Sequence, residues 1–172
     1  MEIYYININE FKNTHNKSIL NNYADKNFNS EKRFFEYTIG RYLIKNVAQK
    51  IYKIDDTTII LSKDGKPVFK DSDLKFSLSH SKDYVIACFD KNNCGIDIEY
   101  IKERNFEKLS RYYNRKFKTA HDFYNFWTLK EAAYKLGTET KDTYSAIFEN
   151  NYYLSIASET IFDKNVVMRQ VQ

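Results

Sequence analysis

Strand-like runs in this chain cluster instead of alternating one for one with helices, and that grouping constrains the fold more than any other feature. Leu74–Ser79, Tyr84–Phe89 and Gly95–Ile101 follow one another with only short polar breaks, and β-branched or aromatic residues enrich them. Ile3–Ile8 and Thr57–Ser62 read as earlier strands. Segments near 145–148, 152–157 and 165–171 read as later ones. Helical patterns separate the clusters. From the N-cap Ser30 to Tyr52, residues Ile44, Val47, Ala48 and Ile51 recur at i, i+3, i+4 and i+7. Helices are also expected over Phe106–Tyr113 and Thr119–Leu136. The Asn-rich stretch before Ser30 reads as connecting chain, and Lys63–Pro67 (KDGKP) as a turn. Grouped strands imply an α+β protein with antiparallel sheets. Each half repeats a coarse order of strand, helix, then strands. The halves divide near Asn92–Cys94, into 1–92 and 93–172.

Composition narrows the function classes. The chain has 172 residues, 42% hydrophobic and 29% charged, so it is globular rather than disordered. Its aromatic share of 17%, with 15 Tyr and 13 Phe, supplies a core where Leu, Val and Ala are sparse. A net charge of +4 and a pI near 8.8 suit an anionic ligand or an acidic partner. They fall short of the clustered basicity of a dedicated nucleic-acid binder. Cys88 lies in an apolar run and Cys94 in what reads as a polar turn. The two form no disulfide framework and no metal-binding spacing, so reduced thiols and a cytoplasmic location are expected. MEIYYININE reads as a strand rather than a signal peptide, and no run reaches the ~18 apolar residues of a membrane span.

Four constellations can carry chemistry, and each alone has an ordinary surface reading. In Gly95-Ile96-Asp97-Ile98-Glu99, alternation on a strand sends both isoleucines one way and both acids the other. Two such carboxylates suit a hard divalent cation, or simply a solvated strand face. In Phe126–Lys135 (FWTLKEAAYK), Phe126, Leu129, Ala133 and Leu136 are expected to form the buried stripe. Glu131 and Lys135 then stand nearly opposite it, one turn apart, as a cleft-lining pair or a surface ion pair. Phe76–Ser81 (FSLSHS) ends a strand on hydroxyls and an imidazole. That suits a phosphate-binding strand end or a polar turn, and no nucleophile elbow surrounds it. Lys32-Arg33 and Arg41 lie on the first long helix, with Arg33 and Arg41 eight apart on one face. They fit phosphates, or a solvated basic face.

Taken in order, GKP (65–67), FSLSHS (76–81), GIDIE (95–99) and FWTLKEAAYK (126–135) resemble the Sfp type of 4'-phosphopantetheinyl transferase. Residues 31–41 (EKRFFEYTIGR) look like the corresponding helix of siderophore-associated members. The resemblance is strong over 65–135 and loose in the flanks. It implies a pseudo-dimer of two similar α+β halves with coenzyme A in the cleft between them. It implies that Asp97, Glu99 and Glu131 hold Mg²⁺ (or Mn²⁺) on the coenzyme A pyrophosphate, and that Lys135 contacts that phosphate chain. Ser79 and His80 would bind the nucleotide end, and Lys66 would lie along the adenine. Lys32, Arg33 and Arg41 are candidates for the 3'-phosphate. The implied reaction moves phosphopantetheine to a serine of an acyl or peptidyl carrier protein and releases 3',5'-ADP, with Glu131 as candidate base. The chain departs from the family at Arg111–Phe117 (RYYNRKF), where some members carry a further acid. Expected partners are a carrier protein, with no nucleic acid and no membrane, and the expected state is a monomer. Two other readings share the sequence: an inert relative that binds coenzyme A or a carrier, and a basic, aromatic module for single-stranded nucleic acid.

Overall fold

The computed structural model describes residues 1–171. The chain opens with strand β1 (Glu2–Asn7). It turns at once into helix α1 (Ile8–Thr14), whose first N–H groups are capped by the Asn7 side chain. Helix α2 (Ser18–Asn21) follows. Ile8, expected to end the first strand, instead opens a helix, and residues 9–21, expected as connecting chain, are largely helical. Their asparagines disguise them, yet Ile8, Phe11 and Leu20 are buried. Helix α3 (Glu31–Lys50) starts at Ser30, whose hydroxyl accepts the Arg33 N–H. Two short strands, β2 (Ile59–Leu61) and β3 (Pro67–Phe69), form a separate hairpin. Strands β4 (Lys75–Ser81), β5 (Tyr84–Asp90) and β6 (Cys94–Tyr100) come next. Then follow α4 (Phe106–Tyr113), α5 (Ala120–Leu136), β7 (Asp142–Phe148), β8 (Tyr152–Ser158) and β9 (Met168–Gln170).

The main sheets have matching topology. One is ordered β4-β5-β1-β9 and the other β6-β8-β7. In the first, β1 and β4 both pair antiparallel with β5, and in the second β6 and β7 both pair antiparallel with β8. The fold is thus α+β with antiparallel sheets. One ladder is parallel: β9, at the end of the chain, lies along β1. The sheets share an apolar core. Ile3, Ile86 and Cys88 of the first meet Ile96, Ile98, Leu154 and Ile156 of the second. On its other face the first sheet packs Tyr4, Ile6, Val85 and Phe89 against Ile39, Leu43 and Val47 of α3. Cys94, expected in a polar turn, is fully buried beside Cys88, and both are free thiols.

Helix α5 covers the second sheet with a face one step round from the expected stripe. Its buried residues are Phe123, Tyr124, Thr128, Ala132 and Leu136. Thr128 looks polar in sequence, but its hydroxyl is satisfied by the Tyr124 carbonyl and Ser155 Oγ. Phe126 instead packs with Tyr113 of α4 and with Phe117. The rotation carries Glu131 and Lys135 to the edge of the buried face. Gly95 sets the approach: a Cβ there would lie 1.9 Å from the Ala132 carbonyl oxygen. Among the described residues, no helix is long and apolar enough to cross a membrane.

Candidate functional site

The site grows from the alternation of β4. Phe76, Leu78 and His80 point into an open groove, and Ser77, Ser79 and Ser81 point toward β6. The three hydroxyls accept the N–H groups of Ile96, Ile98 and Tyr100 at 3.1, 3.3 and 2.9 Å. Two sheets are thereby joined through serine side chains where a backbone ladder is lacking. Ser79 and Ser81 also donate their own protons: Ser79 to Asp97 Oδ1 at 2.7 Å, and Ser81 to Glu99 Oε2 at 3.1 Å. Each acid of the Asp97–Glu99 pair is aimed by its own serine.

Lys135 completes the inner part. Its ammonium donates to Asp97 Oδ1 at 2.7 Å, Ser79 Oγ at 2.9 Å and the Ile96 carbonyl at 3.2 Å. All three donors are engaged. Asp97 is buried, and its Oδ2 is an orphan with no hydrogen-bond partner among the described residues. Burial pushes the Glu99 carboxyl above its ordinary value, and the negative charge of Asp97 adds to the push; hydrogen bonds from Ser81 and Trp127 oppose it. An orphaned buried carboxylate oxygen beside a second acid that burial and like charge disfavour as an anion is a place short of positive charge.

Among the described residues, no three His, Cys, Asp or Glu side chains gather into a ready-made cage for a metal ion. Mg²⁺ does not require one, because it is commonly held by one or two carboxylates together with substrate phosphates and water. Asp97 and Glu99 fit that pattern. Glu131 stands on α5 one turn before Lys135; burial raises the Tyr113 phenol, and the charges of Tyr112 and then Glu131 add to it.

The groove has a volume of about 1380 Å³. Lys32, Arg33, Glu36 and Arg41 of α3 line it, as do residues 26–30, the β2–β3 hairpin, His80, Ser81, Lys82, Glu99, Tyr100 and Lys102. Of the expected site residues, then, Lys32, Arg33, Arg41, His80 and Glu99 share one cavity. Ser79 and Asp97 lie two residues back along their strands, joined to Lys135. Lys66 is not among the lining residues; its ammonium donates to the carbonyls of Cys94 and Leu136 at 3.1 and 3.3 Å. Arg41 is already held, by Asp25 at 2.7 Å and by the Tyr37 hydroxyl at 2.7 Å. The Arg33 side chain forms no ion pair among the described residues. Glu36 lies 3.6 Å from Lys32 and 3.7 Å from His80 Nδ1. Burial lowers the His80 imidazole below its ordinary value, with Lys135 and Lys32 assisting, against the opposing charges of Glu36 and Asp97.

Sequence reasoning missed Ser77 and Ser81, and also Glu36, Tyr37 and Asp25. The serines had a readable signal, because Ser-x-Ser-x-Ser on a strand puts three hydroxyls on one face. Asp25 had none, since its meeting with Arg41 depends on how the 22–30 segment folds back.

No family model matches the chain. It is similar to the 4'-phosphopantetheinyl transferase Sfp of Bacillus subtilis (strain 168), at 32% identity over 110 residues, covering 56% of this chain and 49% of that protein. It is similar to psf-1 of Bacillus pumilus, at 30% identity with 57% and 48% covered. A third relative is gsp of Aneurinibacillus migulanus, at 28% identity with 56% and 46% covered. All three are named 4'-phosphopantetheinyl transferases. The similarity to these three proteins runs over 109 to 112 residues. The chain spans about half the length of the curated relatives it matches.

Proposed function

We propose that this protein transfers 4'-phosphopantetheine from coenzyme A to a serine hydroxyl of an acyl or peptidyl carrier protein, with release of 3',5'-ADP. One observation carries the reading. The Asp97–Glu99 pair, with an unpartnered Asp97 oxygen, opens at Glu99 onto a groove rich in Lys and Arg. A basic groove answers a ligand with several phosphates. A carboxylate pair short of positive charge answers a cation carried on those phosphates.

The chain's residues divide the work. Lys32, Arg33 and His80 receive phosphate oxygens, and Arg41 joins them by exchanging Asp25 for phosphate. A phosphate dianion beside His80 favours its protonated form, so the imidazole takes up a proton as ligand binds. Lys135 pairs with Asp97 through Oδ1, and Ser79 and Ser81 fix the two acids. Asp97 and Glu99, with Glu131 as third candidate, would hold Mg²⁺ (Mn²⁺ as substitute), which when bound neutralises charge developing on the transferred phosphate. Glu131 takes the proton of the attacking serine. The matching strand orders of the two sheets support an internal pair of equivalent units, hence a monomer that makes its own cleft. The two thiols, both free, fit a cytoplasmic place, and the +4 charge fits an acidic carrier surface.

The test is mass spectrometry of a carrier protein after incubation with coenzyme A and Mg²⁺. A gain of the phosphopantetheine mass is expected, and an unmodified carrier means an inert relative. In the same assay Glu131→Gln should lower turnover by about 10²-fold or more. A normal loading rate would remove Glu131 as base.

A further inference from the structure

Lys66 sits at the tip of the β2–β3 hairpin, and the turn there aims it. Gly65 adopts a positive φ of 77°, and its N–H reaches the Ser62 carbonyl at 2.9 Å. Ser62 grips Lys66 twice, since the Ser62 N–H donates to the Lys66 carbonyl at 2.8 Å and its hydroxyl accepts the Lys66 N–H at 3.1 Å. With its backbone fixed, the side chain leaves the hairpin and enters the second half of the molecule. There it meets the carbonyl of Cys94 at the start of β6 and that of Leu136 in the last turn of α5. Both acceptors are main-chain groups, and one belongs to the negative end of a helix dipole, where a cation is favoured. Glu159 binds the Asn93 N–H and the Thr138 hydroxyl at the same junction, and its carboxyl is held below the ordinary value chiefly by the Asn93 hydrogen bonds, with the charge of Lys66 adding least.

The hairpin has little else to hold it. Phe69 is its one buried side chain, packed on Phe76 at a ring distance of 4.9 Å, and Leu61 is 71% exposed. Yet Ile59, Ile60, Leu61 and Pro67 form a wall of the groove. The carbonyl that Lys66 grips on α5 belongs to the residue after Lys135. One ammonium therefore ties a groove wall to the helix end that supplies Asp97 with its counter-charge.

We propose that Lys66 is a positioning residue, a strap that sets the hairpin wall against the end of α5, and that it acts on coenzyme A through that wall and not by contact. The effect on coenzyme A rests on the function proposed above; the strap itself does not. The probes are Lys66→Met, which keeps length and loses the donor, and Lys66→Arg, which keeps the donor. Hydrogen exchange of the ligand-free protein should show amides of 59–69 and 133–137 exchanging about tenfold faster in Lys66→Met, the factor expected from losing a charge-assisted hydrogen bond, with Lys66→Arg near wild type. Loading assays should show KM for coenzyme A rising about tenfold in Lys66→Met with a smaller change in kcat. Unchanged exchange in ligand-free Lys66→Met would overturn the strap, whether or not coenzyme A binding weakened. Faster exchange in a protein whose wild type loads no carrier would keep the strap and remove the transferase reading.

Discussion

At the scale of single residues, the acids of β6 show how one side chain can work against stability and for chemistry. Glu99 has a carboxyl raised above its ordinary value of 4.5, chiefly by burial and then by Asp97. In the metal-free protein the folded state therefore holds its proton more tightly than the unfolded state. Stability falls as pH rises from the ordinary value through the raised one. Glu99→Gln removes that charge. Thermal melts in chelator should show wild type and variant nearly equal at pH 4, with the variant pulling ahead toward pH 7. A gap that stays constant with pH would refute the assignment. The same variant should lose Mg²⁺-dependent loading. Asp97 and Glu99 were legible in sequence because strand alternation puts them on one face. The same alternation puts three serine hydroxyls on one face of β4, but the strand whose N–H groups they accept has no local trace.

At the scale of elements, the contact of α5 with β6 decides where Lys135 meets Asp97. Gly95→Ala places a methyl 1.9 Å from the Ala132 carbonyl oxygen and 2.7 Å from the Leu136 nitrogen. Neither obstacle can rotate away, so α5 must lift and Lys135 must leave Asp97. The expected loss is about 3 kcal/mol. Gly40→Ala gives a useful contrast, because its new methyl meets the end of the Leu78 side chain at 2.8 Å, which can swing aside. About 1 kcal/mol is expected there. Urea denaturation of both variants checks the ranking, and equal losses would refute it. The helices α3, α4 and α5 were readable from period and caps to within a residue or two. The buried face of α5 was not, because Thr128 carries its satisfaction in a distant Ser155 and no periodicity rule sees that pairing. Helices α1 and α2 were missed because asparagine is a poor helix former, and here it caps.

At the scale of the molecule, the two main sheets are bound by more than their common core. Serine hydroxyls join β4 to β6, Lys66 crosses from the hairpin, and Tyr152 donates to Asp83 at 2.9 Å. Most of all, β9 leaves the second half and pairs with β1, with Ile3 opposite Met168. Sequence placed a strand near 165–171, but not its partner, because register across so many residues has no local signature. Deleting residues 168–171 should strip β1 of its outer neighbour, along with the Arg169–Glu2 ion pair. The transition midpoint should fall by several degrees, with both halves melting together. Independent melting of the second half would show that β9 does not couple them.

The β1–β9 ladder also fixes an order of events. The ribosome makes β1 well before β9. While the chain is being made, β5 can reach β1 from one side, but the other edge stays bare until Met168 has left the exit tunnel. Pairing over so long a span is slow to nucleate, and an open strand edge invites other chains. The nascent protein is therefore most vulnerable to aggregation in the interval between those two strands, and its yield should depend on how quickly that last stretch is translated.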